Sequence, residues 1–132
     1  MIERERPYCR TVDGHRLPGS FSEEVYRSGL RYRPDQGDVV LDTFPKSGTH
    51  WVAGILKAAY QVCRGVTPRS VFLEKLGIEA IENCPRPRIV CTHLPFHLVP
   101  FSSAAKYIYV IRNPKDCCVS FYHHTKTIPA YK

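Results

Sequence analysis

Lys46, His93 and Arg112 are the residues of this 132-residue chain best placed to do chemistry, because each directly ends or closely follows a short apolar run. Lys46 lies in Thr43-Phe-Pro-Lys-Ser-Gly-Thr-His-Trp51. An apolar run, a tight turn with a glycine and the start of a helix make an anion-binding loop, since backbone amides at a helix N-terminus point at the ligand and the helix dipole favours negative charge. Lys46 adds a full charge, and Ser47 and Thr49 add hydroxyl donors. The string is not a Walker A loop, because Gly-x-x-x-x-Gly-Lys-[Ser/Thr] is absent and the lysine precedes the glycine. A generic turn with a surface lysine would account for Ser47-Gly48 alone, but poorly for the whole string.

His93 ends Val90-Cys-Thr-His-Leu-Pro95, where a strand end would turn it towards a ligand. Imidazole titrates close to neutral pH and can accept a hydroxyl proton, although a structural histidine is the better reading of this segment on its own. Arg112 ends the run Tyr107-Ile-Tyr-Val-Ile111 and precedes Asn113-Pro-Lys-Asp116. Its planar fork can meet phosphate oxygens with two hydrogen bonds.

The elements that must position these residues are legible. Val39–Phe44, Ile89–Thr92 and Tyr107–Ile111 are continuous runs rich in β-branched or aromatic residues, which read as strands of a parallel sheet buried on both faces. Residues 50–63 read as a helix with Trp51, Ile55, Leu56, Ala59 and Val62 near one face. Residues 70–82 read as a second helix, and residues 114–124 as a third, with Asn113 as cap, Pro114 at the first position and Asp116 in the first turn. The polar stretch 1–37 is punctuated by Gly14, Pro18, Gly19, Pro34 and Gly37, with a short helix entered through Ser20 or Ser22. The aromatic pair Phe96 and Phe101 reads as core.

The fold class is therefore α/β, a parallel sheet with flanking helices joined by right-handed crossovers. One domain occupies 1–132, an N-terminal polar segment over 1–37 and an α/β core over 38–132. Ligands in such sheets sit beyond the carboxyl ends of the strands, so Lys46, His93 and Arg112 should share one edge.

With these strings in place, the chain resembles the cytosolic small-molecule sulfotransferases over roughly residues 11–124. Their 5′-phosphosulfate loop reads Tyr-Pro-Lys-Ser-Gly-Thr-Thr-Trp, and Phe44–Trp51 departs from it at Phe44 and His50. The resemblance implies a P-loop-like sulfotransferase fold, truncated after the 3′-phosphate-binding strand and helix. It implies that Lys46 contacts the 5′-phosphate and bridging oxygen, that Ser47, Gly48, Thr49 and His50 hold the phosphates, and that Trp51 stacks near the adenine. The family's Lys-Thr-His-Leu-Pro segment makes His93 the general base, with Cys91 in the place of a lysine that helps hold the transferring group. Arg112 and Ser120 match residues that bind the 3′-phosphate, and His124 falls where relatives often carry an aromatic lining the acceptor pocket.

The implied activity is transfer of a sulfuryl group from 3′-phosphoadenosine 5′-phosphosulfate (PAPS) to a small phenol, alcohol or amine, with no metal. Relatives continue well beyond this point, so the chain is expected to be a truncated product or an incomplete gene model of weak activity, and a homodimer requires the stretch that follows in relatives. A nucleotide kinase would need Gly-Lys-[Ser/Thr] and a magnesium-holding aspartate. A fragment that binds the nucleotide without turnover stays open.

The totals agree with this reading. The formal net charge is +7, and residues 38–132 hold 12 basic against 6 acidic residues while residues 1–37 are nearly balanced. The excess thus lies where the anion-binding strings lie, although a solvated basic surface accounts for the charge equally well. There is no Lys/Arg block of a nucleic-acid binder. The six cysteines show no Cys-x-x-Cys pair and, with the histidines, no zinc-ligand spacing. The charged start lacks a signal peptide and no run approaches the roughly 18 apolar residues of a membrane span, so reduced thiols in the cytoplasm are expected.

Overall fold

The computed structural model describes residues 7–128 and 131. The described chain opens with an antiparallel hairpin, β1 (Cys9–Val12) and β2 (His15–Pro18). Its two turn residues, Asp13 and Gly14, both have positive φ (50° and 80°), the type I′ geometry whose twist matches that of paired strands. Helix α1 (Glu23–Leu30) follows, with the Ser22 hydroxyl accepting from the Val25 amide as its cap. The sequence had placed this helix but not the hairpin before it.

The central sheet is parallel. Strands β3 (Asp38–Thr43), β4 (Arg69–Phe72), β5 (Arg88–Thr92) and β6 (Lys106–Val110) lie in the order β4-β5-β3-β6. In register, Asp42 faces Thr92 on one side and Tyr109 on the other, and Thr43 faces Val110. The ends of β3, β5 and β6 therefore reach one edge together. Helices α2 (Thr49–Arg64), α3 (Leu73–Glu82) and α4 (Pro114–Thr127), with a short 3₁₀ turn at Phe96–Leu98, complete the described elements. The Asn113 side chain caps α4 by accepting from the Lys115 amide at 2.9 Å.

Alternation along the strands divides the core into two layers. Leu41, Ile89 and Cys91 pack against Ala53 and Leu56 of α2. Val71 and Val90 face the other way, against Tyr26 of α1, Leu73 and Ile81 of α3, and Val12 and Leu17 of the hairpin. Part of the polar segment 1–37 thus supplies core. The α1–α3 contact is close at Gly77, where φ is +72° and an added Cβ would lie 2.4 Å from the Ser28 hydroxyl.

Four expectations shift. Strand β6 is not buried on both faces, because it is the edge of the sheet and leaves Tyr109 61% exposed. Residues 69–72, read in part as helix, form β4, and α3 begins at once at Leu73. The buried side of α2 is formed by Thr49 and Ala53, with Val52 and Leu56 partly buried beside them, while Trp51, Ile55 and Val62 are exposed. Phe96 and Phe101 are also exposed, Phe101 stacking on Tyr107.

The opposite, N-terminal end of the sheet is closed by one buried ion cluster. Asp38 accepts from the Tyr32 hydroxyl, the Asp35 amide (2.8 Å), Arg86 Nε (3.0 Å) and Arg88 Nε (2.8 Å). Arg88, itself buried, also donates to the carbonyls of Ile81 and Cys84 and to the Tyr32 oxygen. Burial pushes the Asp38 carboxyl up, but these donors outweigh it and hold it below the usual aspartate value.

Candidate functional site

The loop after β3 is built from a turn and a helix start. The Ser47 amide donates to the Phe44 carbonyl at 3.1 Å, and Lys46 takes a left-handed φ of 69°, rare for a residue with a Cβ. Such a conformation costs about 1–3 kcal/mol and persists only where its surroundings impose it. Here the surroundings include Arg112, whose Nη1 donates to the Lys46 carbonyl at 3.0 Å. Gly48 is the N-cap of α2, with φ 108° and no side-chain cap. The first amides of α2 thus have neither an intrahelical partner nor a capping side chain, and no acidic side chain stands in that turn.

A chain of hydroxyls joins this loop to the end of β5. Thr43 Oγ1 lies 2.6 Å from Thr49 Oγ1 and 3.1 Å from His93 Nδ1. His93 Nδ1 also lies 2.7 Å from the Thr43 carbonyl oxygen. A carbonyl can only accept, so Nδ1 carries the hydrogen and donates it. The lone pair of the neutral ring is then on Nε2. The ring packs against Phe72 at 5.2 Å, and Phe72 in turn lies 6.0 Å from His50. Glu74 fixes the same strand end from α3, where its Oε1 accepts from the Thr92 hydroxyl at 2.7 Å and from the His93 amide.

The third side is α4. His124 Nδ1 lies 3.5 Å from Lys46 Nζ and must accept from the ammonium. Burial, then Lys46, then His93 lower the His124 pKa, which favours its neutral imidazole. Ser47 Oγ lies 3.3 Å from Cys117 Sγ, one turn before the half-buried Ser120. A cleft of about 390 Å³ between β6 and α4 is lined by Ser47, Arg112, Cys117 and Phe121.

Lys46, His93 and Arg112 therefore meet at one edge of the sheet, together with Ser47, Gly48 and Thr49. His50 reaches this edge only through Phe72, and Trp51 is 75% exposed. Cys91 is not at this edge. It is buried under α2, and burial first, then Glu74, push its thiol up to about 12. Sequence reasoning missed Thr43, Glu74 and Asp42. Thr43 ends an apolar run and reads as strand, Asp42 interrupts the same run, and Glu74 sits in an ordinary helical pattern, so none announces itself locally. Among the described residues, no group of three or more His, Cys, Asp or Glu could hold a metal, and no helix is long and apolar enough to cross a membrane.

Known proteins resemble this chain. A family model described as the sulfotransferase domain matches residues 36–132. Dog sulfotransferase 1A1 is 36% identical over 92% of this chain and 46% of its own length. Mouse sulfotransferase 1 family member D1 is 42% identical over 69% of this chain and 36% of its own length. The chain thus spans half or less of the length of the relatives it matches. A crystal structure of mouse sulfotransferase SULT7A1 complexed with PAP superposes with a TM-score of 0.77 at 28% identity, covering 93% of this chain and 46% of that one.

Proposed function

Because this chain belongs to the sulfotransferase family, we propose that the edge formed by Lys46, His93 and Arg112 binds PAPS and transfers its sulfuryl group to a hydroxyl or amine of a small acceptor. The observation that carries the reading is the convergence of the three residues from the ends of β3, β5 and β6. The donor set suits the nucleotide. The α2 amides, Lys46, Ser47 and Thr49 offer hydrogen bonds and positive charge for a 5′-phosphosulfate, and Arg112 with Ser120 for a 3′-phosphate. Gly48 leaves the loop open, since an added Cβ would meet nothing nearer than the Trp51 ring at 4.0 Å. The exposed Trp51 is free to stack on a base. The solved neighbour's complex with PAP supports the same class of nucleotide.

In this reading the acceptor oxygen attacks sulfur and loses its proton to His93 Nε2, whose lone pair is left free by the Nδ1–H···O=C bond to Thr43. A new sulfur–oxygen bond forms as the bond from sulfur to the phosphate oxygen breaks, and the electrons leave with the phosphate. Lys46 and the loop amides stabilise that charge. Cys91 offers no ammonium to help, so Lys46 and Arg112 carry more of the electrostatic work. The acceptor is a small molecule, and the setting is the cytoplasm of the cytosolic family.

The test is a single-turnover assay with PAPS and a phenol, using the wild-type chain and His93→Ala. Transfer by the wild type and its loss in the variant, with nucleotide binding retained in both, supports the proposal. Binding without transfer in the wild type would replace it with the simpler function of holding the nucleotide.

A further inference from the structure

Behind His93, on the side of the sheet covered by α1 and α3, two carboxyl groups are buried together without a cation. Glu74 is 4% exposed and Asp42 5% exposed. Asp42 and Thr92 are register partners on adjacent parallel strands, so their side chains project side by side to the same face. The Thr92 hydroxyl reaches Glu74 Oε1 at 2.7 Å, and Asp42 on the same face is near enough for the Glu74 charge to act on it. Glu74 Oε1 is fully used by Thr92 and His93, whereas buried Oε2 has no hydrogen-bond partner among the described residues. A buried carboxylate oxygen without a donor is costly and calls for an explanation.

The surroundings narrow the choice of donor. From α1, the buried Tyr26 is close enough for Glu74 to bear on its hydroxyl. From β5, His93 contributes its backbone amide, while its ring is turned to Thr43. Cys91 packs on the opposite face, where Lys57 acts on it. On β6 the register neighbour of Asp42 is the exposed Tyr109. On α3, Lys75 and Glu79 are exposed. Among the described residues no ion pair reaches either carboxyl group.

We infer that Asp42 carries a proton and donates it to Glu74 Oε2, so that the two form a carboxylic acid–carboxylate pair that positions the strand end bearing His93. The proton belongs on Asp42 because Glu74 already accepts two hydrogen bonds through Oε1, from the Thr92 hydroxyl and the His93 amide. Burial and, after it, the Glu74 charge raise Asp42 to about 6, in line with this geometry. Below that value one proton closes the pair. Above it two like charges meet in a buried site, and Glu74 loosens its hold on Thr92 and the His93 amide. Asp42 and Glu74 are thus positioning residues. Their importance for catalysis rests on His93 as the base, but the pair itself is independent of that role.

Carbon-13 NMR of the side-chain carboxyl groups, with backbone amide spectra recorded over the same pH series, tests this on the intact chain. The expected result is one aspartate resonance that titrates well above the ordinary range and is missing from Asp42→Asn. The His93 amide should move with the same midpoint in wild type and stay still in Asp42→Asn. Glu74→Gln should bring the Asp42 midpoint down towards the ordinary range, and if that variant does not fold, the other two samples decide. An Asp42 resonance titrating normally, as it would with a buried water on Oε2, overturns the inference, as does a His93 amide indifferent to it. Neither readout involves transfer, so loss of the sulfuryl-transfer reading would leave this result standing, and loss of the pair would leave that reading standing.

Discussion

Strand β3 carries an aspartate at each end of one face, and the two live in opposite electrostatic worlds. Asp38 meets two guanidinium groups, a phenol and a backbone amide, and the buried Arg88 among them is itself tied to two carbonyls and to Tyr32. Asp42, four residues on, is as deeply buried but has no cation, and its nearest charged neighbour is another carboxylate. The first arrangement lowers a pKa and the second raises one. The difference shows how the sheet divides its labour. At the amino end, polar groups are buried in a completed network whose role is to hold β3, β5 and the end of α3 in register. At the carboxyl end, polar groups are left partly unmatched beside a strained Lys46 and an uncapped helix, where a ligand can complete them.

The comparison is broken most severely at Asp38. Replacing it by alanine leaves Arg88 buried with its main partner gone, and a loss of about 3–5 kcal/mol in urea unfolding at neutral pH is expected, with nucleotide affinity of the folded fraction unchanged. His93→Ala should do the reverse, lowering transfer roughly 10²–10⁴-fold while leaving the unfolding midpoint and nucleotide binding near wild type. A single-turnover assay beside a denaturation curve separates the two.

Asp42→Asn sharpens the contrast through pH. Because the folded-state pKa of Asp42 lies above its ordinary 3.8, at about 6, its ionisation costs the wild type stability as pH rises through that window. The amide is spared this cost. The variant should therefore gain on wild type between those values and hold a lead of up to about 3 kcal/mol above them. Asp38, held below 3.8, acts with the opposite sign: its stabilisation is complete above that value and drains away in stronger acid. Thermal unfolding across the acid range, with and without each substitution, reads both slopes. The smallest effect concerns Cys91, whose buried thiol should resist alkylation in the native chain while the exposed Cys63 and Cys118 react.

The two ends also differ in how much of them the sequence reveals. Lys46, Ser47, Gly48 and Thr49 sit in one contiguous string, and His93 and Arg112 each close an apolar run, so the carboxyl edge could be read from local pattern plus the rule that parallel strands end together. The Asp38 cluster could not, because Tyr32, Arg86 and Arg88 join it only through tertiary contact. Strand β4 was hidden since Arg69-Ser-Val-Phe72 has two polar residues and runs into α3 with no turn. The hairpin carried a usable signal in Asp13-Gly14, but its strands are too short and polar to read as apolar runs. The resemblance to sulfotransferases pointed to the fold that the structure has, while the hold of Glu74 on His93 came only from coordinates.

The account stands on the carboxyl edge being the nucleotide site. Calorimetric titration of the chain with adenosine 3′,5′-bisphosphate, in wild type and in Lys46→Ala, addresses it directly. Saturable binding by the wild type, weakened roughly 10- to 100-fold by loss of one charge-assisted contact, is the predicted result. Absence of binding, or binding that Lys46→Ala does not alter, would contradict it.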